Sequence, residues 1–306
     1  MQASPRTWDA GRRGEGLSFD VFRSQALAWP ELLADVRLLE SSGAGTLWVL
    51  DHFAWPARPD WGILEAWTGL AALAAATDRI RLGTAVTDAA LRHPAMLAKQ
   101  VATVDAISGG RVELGIGAGY YEEELGWLAI PFLAPAGRAA RLREAVEIVD
   151  GLFREDRLTY EGRYWSVHDA PLVPAPVQRP RPPLVVAANG RKGIRLAAER
   201  ADGWLSLGER DEDAQDALAA LRERNERAGE DCVAIGRDPA TLGRLYYVGW
   251  ADERPFASAE ALREFLGRYH EAGAERLIFV FAGAASDGRF LTRDSLDAFA
   301  GEILAG

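Results

Sequence analysis

Residues 80–116, IRLGTAVTDAALRHPAMLAKQVATVDAISGGRVELGI, carry two apolar runs separated by one helical pattern. Ile80–Val86 and Arg111–Ile116 are short and rich in apolar residues, as strands buried on both faces are. Between them, Pro94–Ser108 repeats apolar residues at helical spacing. Pro94 suits a first helical turn, and Gly109 suits the left-handed residue that ends a helix. Strand, helix, strand in this order predicts parallel sheet with crossover helices.

The same alternation recurs on either side. Strands are predicted at Leu17–Phe22, Thr46–Leu50, Ile80–Val86, Arg111–Ile116, Leu184–Ala188, Gly203–Leu207, Arg244–Trp250 and Arg276–Phe281. Helices are predicted at Pro30–Ser42, Leu64–Thr77, Pro94–Ser108, Arg138–Phe153, Lys192–Ala201, Asp211–Ala228, Ala257–Ala272 and Thr292–Leu304. Eight strands, each followed by a helix, predict an α/β fold closed into a (β/α)8 TIM barrel with no unpaired edge. An open doubly wound sheet of this length more often adds a second domain. No linker or composition break divides the chain, so residues 1–306 read as one barrel domain. Arg157–Pro183 departs from the alternation, with Tyr160, Tyr164 and Trp165 followed by six prolines from Pro171 to Pro183. This segment is expected to be an insertion after the fourth helix, a small hairpin with an extended return.

Composition narrows the function classes. The chain has 306 residues, 48% hydrophobic and 26% charged, within the ordinary globular range. Its net charge of −10 would repel a phosphate backbone, and no basic run offsets it, so nucleic acid is not an expected partner. Of 35 basic residues only Lys99 and Lys192 are lysines. Cys232 has no partner for a disulfide, which fits a reducing compartment. No stretch approaches the roughly 18 apolar residues of a membrane span, and the N-terminus has no apolar leader pattern. The expectation is a soluble cytoplasmic protein with no membrane partner.

In a barrel the site lies at the C-terminal ends of the strands. The second strand ends in Asp51-His52-Phe53, whose alternating faces keep the carboxylate and imidazole from pairing directly. His52 suits proton transfer near neutrality; the pair reads equally as a loop-capping aspartate beside a satisfied histidine. The third strand ends Thr84-Ala85-Val86-Thr87, where the small hydroxyl residues Thr84 and Thr87 would let a flat ring approach the backbone, although strand threonines are common anyway. His93, before Pro94, reads as a structural lead-in to a helix. Gly115-Ile-Gly117-Ala-Gly119-Tyr120-Tyr121 precedes Glu122, Glu123 and Glu124, and three carboxylates argue against a dinucleotide fingerprint. Those glutamates suit a helix N-terminus, at least two of them through its dipole. Ala188-Asn189-Gly190-Arg191-Lys192 joins a Gly-containing turn, a helix start and cations, the ingredients of an anion site; a solvated helix start is the alternative. Trp48, Phe53, Trp55, Trp61 and Trp67 suit a pocket wall, core or subunit interface. No metal-ligand spacing or nucleophile motif is present.

Taken together, Trp48-Val-Leu-Asp51-His52-Phe53, Arg81-Leu-Gly83-Thr84-Ala-Val86-Thr87, His93 through Arg111, Gly115-Ile-Gly117-Ala-Gly119, Ile130-Pro131-Phe132, Tyr160-Glu-Gly162-Arg-Tyr164-Trp165 and Arg195 through Trp204 resemble the bacterial luciferase-like monooxygenase superfamily. The wording around His52 and Gly119 is most similar to its branch dependent on the deazaflavin coenzyme F420. That resemblance implies a (β/α)8 barrel holding F420, or alternatively FMN, at the strand ends. It implies hydride transfer to or from a small organic substrate, with His52 handling the proton and Asp51 supporting it. It further implies a non-proline cis peptide at Ala85–Val86, beside Thr84. Ala188, Asn189, Gly190, Arg191 and Lys192 would hold the cofactor phosphate, and Gly117, Gly119, Tyr120 and Glu123 would line its tail. Sugar-phosphate dehydrogenases of the branch carry Glu where Tyr120 stands and Trp where Pro56 stands, which argues against glucose 6-phosphate. A homodimer and a separate flavin or F420 reductase are the implied partners. The alternatives are an FMN-dependent monooxygenase fed by such a reductase, and a catalytically silent cofactor carrier or structural subunit.

Overall fold

The computed structural model describes residues 18–55, 58–209, 212–283 and 286–296. The first half of the barrel runs β1 (Ser18–Phe22), α1 (Trp29–Ser41), β2 (Thr46–Val49), α2 (Ala66–Ala76), β3 (Arg81–Thr84), β4 (Thr87–Asp88), α3 (Pro94–Ser108), β5 (Val112–Gly117), α4 (Glu122–Trp127) and α5 (Pro135–Arg154). A hairpin of β6 (Leu158–Glu161) and β7 (Ser166–Ala170) follows. The second half runs β8 (Leu184–Ala187), α6 (Arg191–Arg200), β9 (Gly203–Leu207), α7 (Ala214–Ala234), β10 (Gly243–Val248), α8 (Ala259–Glu271), β11 (Arg276–Gly283) and β12 (Leu291–Thr292).

Parallel pairing proceeds β1-β2-β3-β5-β8-β9-β10-β11, and β11 returns to β1, Ser18 opposite Arg276 through Phe22 opposite Val280. The eight-strand barrel expected from the alternation is therefore closed. Gly43, Gly109 and Gly273 have φ of 83°, 67° and 89°, the left-handed geometry that ends α1, α3 and α8. The insertion is the hairpin plus a proline-rich return that Asp105 ties to α3 by accepting the amides of Val177 and Gln178. Three departures stand out. α4 was not foreseen, because one and a half turns are too short to show a period. The third predicted strand breaks at Ala85–Val86: four steps from Gly83 to Thr87 oppose three from Glu113 to Ile116, a one-residue bulge. Thr292 pairs in β12 rather than opening a helix; the helical turn starts at Arg293, and the predicted remainder beyond residue 296 lies outside the described residues, as does Leu17.

Strand alternation sorts side chains into two compartments. Phe19, Val21, Leu47, Val49, Leu82, Leu114 and Val186 face outward and pack under the helices. Phe22, Trp48, Leu50, Val185, Leu205, Leu245, Tyr247 and Ile278 fill the barrel interior as a separate cluster. Below it, at the N-terminal ends of the strands, charges meet. Arg276 donates to Asp20 at 2.5 Å and to Glu113 at 2.9 Å, and Arg81 reaches Glu113 at 2.6 Å. Thr46 and the Trp48 indole complete the network. Burial opposes ionisation of Glu113, but Arg276 and Arg81 outweigh it and hold the carboxyl at about 2. At Asp20 burial dominates and pushes the value up.

Removing one partner of such a cluster strands buried charges. Arg276→Met is expected to lower stability by about 3–5 kcal/mol, measured by urea unfolding. A loss under about 1 kcal/mol would show that this cluster does not hold the barrel floor.

Candidate active site at the barrel mouth

The upper rim of the interior is apolar. Trp55, Ile63, Ala85, Val86, Ala187, Leu207, Trp250 and Val280 are only partly buried and pack on the interior cluster, forming an open floor. The Ala85–Val86 peptide is cis, as the resemblance implied. This loop presses against β5, where side chains would obstruct it. A Cβ on Gly117 would lie 2.8 Å from Val86 Cγ2, and one on Gly115 would collide with the Thr84 carbonyl. Gly119, at φ 75°, has both the left-handed backbone and the Asp88 carboxylate against the place a Cβ would take. Thr84 is fully buried and spends its hydroxyl on the Gly115 carbonyl at 2.8 Å.

Asp51 and His52 point apart, as the alternation required, and each has its own partner. Asp51 is buried and receives a two-pronged hydrogen bond from Arg92, through Nη1 and, at 2.8 Å, Nη2. His52 Nδ1 lies 2.8 Å from Glu124 Oε2, while Glu124 Oε1 accepts the Phe53 amide at 2.5 Å. With the carboxylate as acceptor, Nδ1 carries the hydrogen, and Nε2 is left as the nitrogen able to take or give a proton. Nε2 has no hydrogen-bond partner among the described residues. Trp55 and Tyr121 pack edge-on to the imidazole at 5.5 Å, and Tyr120 at 6.2 Å.

Glu124 was the decisive residue that the sequence did not single out. It is fully buried, whereas Glu122 and Glu123 are exposed on the same turn of α4, so the dipole reading holds for those two and not for the third. Arg92 and Asp88 were also unremarked. Asp88 lies beneath Gly119 and takes the Ala90 amide at 2.7 Å. Arg141 on α5 is buried near it, its Nε and Nη2 without hydrogen-bond partners among the described residues. The aromatic group splits: Trp48 and Trp67 are core, Trp61 is stacked under Arg58 at the surface, and Trp55 joins the site. His93 caps α3 by accepting the Ala95 amide, the structural role expected of it.

Across the mouth, Ala188–Lys192 forms the start of α6. Gly190 is the N-cap and supplies no side-chain acceptor, so no side chain caps this ten-residue helix, although the Gly193 amide donates to the Gly190 carbonyl at 3.0 Å. A Cβ on Gly190 would meet nothing within 4 Å, and Arg191 and Lys192 are exposed, with no ion-pair partner among the described residues. Asn189 uses its side chain to clamp β9, donating to the Leu207 carbonyl at 2.8 Å, which holds the turn in place.

Burial pushes the Asp88 carboxyl up to about 6, against the Ala90 amide and the Arg141 guanidinium, which favour its ionised form. A raised folded-state value means that the stability it contributes is complete below the ordinary 3.8 and is lost as pH rises through about 6. Asp88→Asn keeps an acceptor for Ala90 and removes the charge. It is expected to raise stability by about 1–2 kcal/mol near pH 8 and by nothing measurable near pH 3.5. Equal effects at both pH values in urea unfolding would contradict the assignment.

The family described as luciferase-like monooxygenase matches residues 15–301. A protein of Kineococcus radiotolerans named F420-dependent glucose-6-phosphate dehydrogenase is 36% identical over 212 residues, 68% of this chain and 62% of that protein, so the match spans less than two thirds of the relative. An F420-dependent secondary alcohol dehydrogenase, solved with an F420–acetone adduct, superposes with a TM-score of 0.80 at 20% identity, covering 95% of this chain and 99% of that one. The oxygenating constituent of 3,6-diketocamphane monooxygenase from Pseudomonas putida, solved with FMN, gives 0.61 at 19% identity, covering 76% and 67%. At these identities the two structures speak for the fold; the match over nearly the whole length places the chain in the luciferase-like monooxygenase family.

Proposed function

We propose that the protein is an F420-dependent oxidoreductase acting on a small organic molecule, with His52 as the residue that takes or gives the proton. The observation that carries this is the pairing, across one apolar floor, of a histidine with Nδ1 fixed by buried Glu124 and an uncapped, cationic α6 N-terminus. The relative named for F420-dependent dehydrogenation supports the choice of cofactor.

The residues present fit such a group. Open volume in front of Gly190, together with Arg191 and Lys192, suits a phosphate. The floor of Ala85, Val86, Ala187 and Leu207 suits a flat apolar face. By the resemblance, Gly117, Gly119, Tyr120 and Glu123 would line the cofactor's tail; Tyr120 and Glu123 are exposed beside this turn, and the two glycines let it pack close on Val86 and Asp88. When bound, the deazaflavin supplies the hydride acceptor or donor. The chain's part is to hold, orient and exclude water. The Glu124 hydrogen bond keeps His52 in one tautomer with Nε2 toward the mouth, and the Asp51–Arg92 pair anchors the strand end that carries it. Apolar rim side chains lower the local dielectric around the transferring proton. By the same resemblance the proposal extends to a cytoplasmic homodimer served by a separate F420 reductase.

Titration with F420 and with FMN, followed by F420 fluorescence and flavin absorbance, tests the reading. Stoichiometric binding of F420 is expected; tight FMN binding with none of F420 would replace it with a flavin monooxygenase. Lys192→Ala is expected to weaken F420 binding about five- to tenfold, while Lys99→Ala, whose ammonium donates to the Val173 carbonyl outside the mouth, leaves it within twofold. Equal effects would overturn the phosphate assignment. His52→Ala is expected to cut kcat by about 10²–10⁴ with F420 affinity retained, as loss of a general acid or base does. Unchanged turnover would remove His52 from the chemistry, and no turnover by the wild type with any electron acceptor would favour a silent subunit.

A further inference from the structure

We propose that the substrate pocket takes an uncharged aromatic molecule and rejects phosphorylated sugars. The proposal rests on the cofactor reading above, which assigns Arg191 and Lys192 to the cofactor phosphate.

The walls around His52 are rings. Trp55 stands at 88° to the imidazole, Tyr121 lies 6.5 Å from Trp55, and Tyr120 lies tilted at 39° against Tyr121 with the ring centroids 4.1 Å apart. Trp250, arriving from the end of β10 on the far side, closes the set at 6.3 Å from Tyr120. Phe53 at 62% exposure and Tyr120 at 51% leave apolar area open at the entrance. Large aromatic faces exposed at the mouth of a cleft are costly in water unless something flat covers them. Edge-to-face and offset stacking at these separations suits another ring, and Trp250 is braced for it by a hydrogen bond to the Tyr247 hydroxyl at the floor.

Charge argues the same way. A sugar phosphate brings a dianion, and a buried dianion needs a cation of its own. Apart from Arg191 and Lys192, which the cofactor reading uses, the basic side chains near the mouth among the described residues have protein partners: Arg92 to Asp51, Arg23 to Asp35, Arg254 and Arg289 to Asp252, and Arg224 to the Leu207 carbonyl. Arg141 keeps unpartnered donors, but these are sealed inside the wall behind Asp88. The ring faces present negative quadrupoles, which repel an anion further. The site is therefore suited to a flat molecule without charge, held near His52 against the rings of Trp55 and Trp250.

Isothermal titration of the F420-loaded protein with acetophenone, phenyl phosphate and glucose 6-phosphate separates ring from charge. Acetophenone is expected to bind at least tenfold more tightly than either phosphate. Trp250→Ala is expected to weaken it about tenfold, and Trp250→Phe to restore it to within threefold. Tighter binding of glucose 6-phosphate or phenyl phosphate, or acetophenone affinity indifferent to Trp250→Ala, would overturn the proposal. Failure of F420 to bind would sink the cofactor reading instead. The same acetophenone titration on the cofactor-free protein, with and without Trp250→Ala, would still decide this one.

Discussion

Arg276 reaches across the inside of the barrel from the last strand to Asp20 on the first and Glu113 on the fourth of the eight barrel strands. A closed sheet has no free edge, so the register at its seam decides where every other strand ends, and the strand ends are where the chemistry can be placed. The seam pairs Ser18 with Arg276 and continues to Phe22 opposite Val280. A charge cluster at its lower end would lose its partners on a shift of even one residue, because alternation would turn Asp20 and Arg276 outward under the helices. The buried ions thus act as a registration device for a site at the opposite end of the same strands.

Above that cluster the interior changes character. A layer headed by Trp48, Leu205, Leu245 and Ile278 separates the ionic floor from the rim. The rim itself is lined largely by apolar side chains and aromatic rings. In such surroundings the hydrogen bond that His52 Nδ1 donates to Glu124 has more influence than it would have in water. Gly115, Gly117 and Gly119 complete this arrangement by absence: side chains there would occupy the space taken by the Thr84–Val86 turn and the Asp88 carboxylate.

Much of the fold was legible because local signals agreed with the global arrangement. Pro94 and Gly109 bracket α3 where the sequence placed them, and β9 matches its predicted run from Gly203 to Leu207. The opposite orientations of Asp51 and His52 followed from strand alternation alone. What stayed hidden depends on distant contacts. Asp20, Glu113 and Arg276 are isolated charges in apolar runs, and Asp20 and Arg276 lie 256 positions apart; only closure of the sheet makes them a cluster. Glu124 is one of three adjacent carboxylates, and a helix as short as α4 gives no phase from which to tell which one turns inward. Trp250 was read as the end of a strand, and its place beside Tyr120 comes from the return of the chain around the barrel.

A crystal structure of the F420 complex tests the central claim most directly. The account predicts the cofactor phosphate at the first turn of α6 within hydrogen-bond reach of Lys192, and its ring on the Ala85–Val86 floor facing His52. A cofactor seated away from α6, or a ring turned so that His52 Nε2 cannot approach the reacting centre, would contradict it.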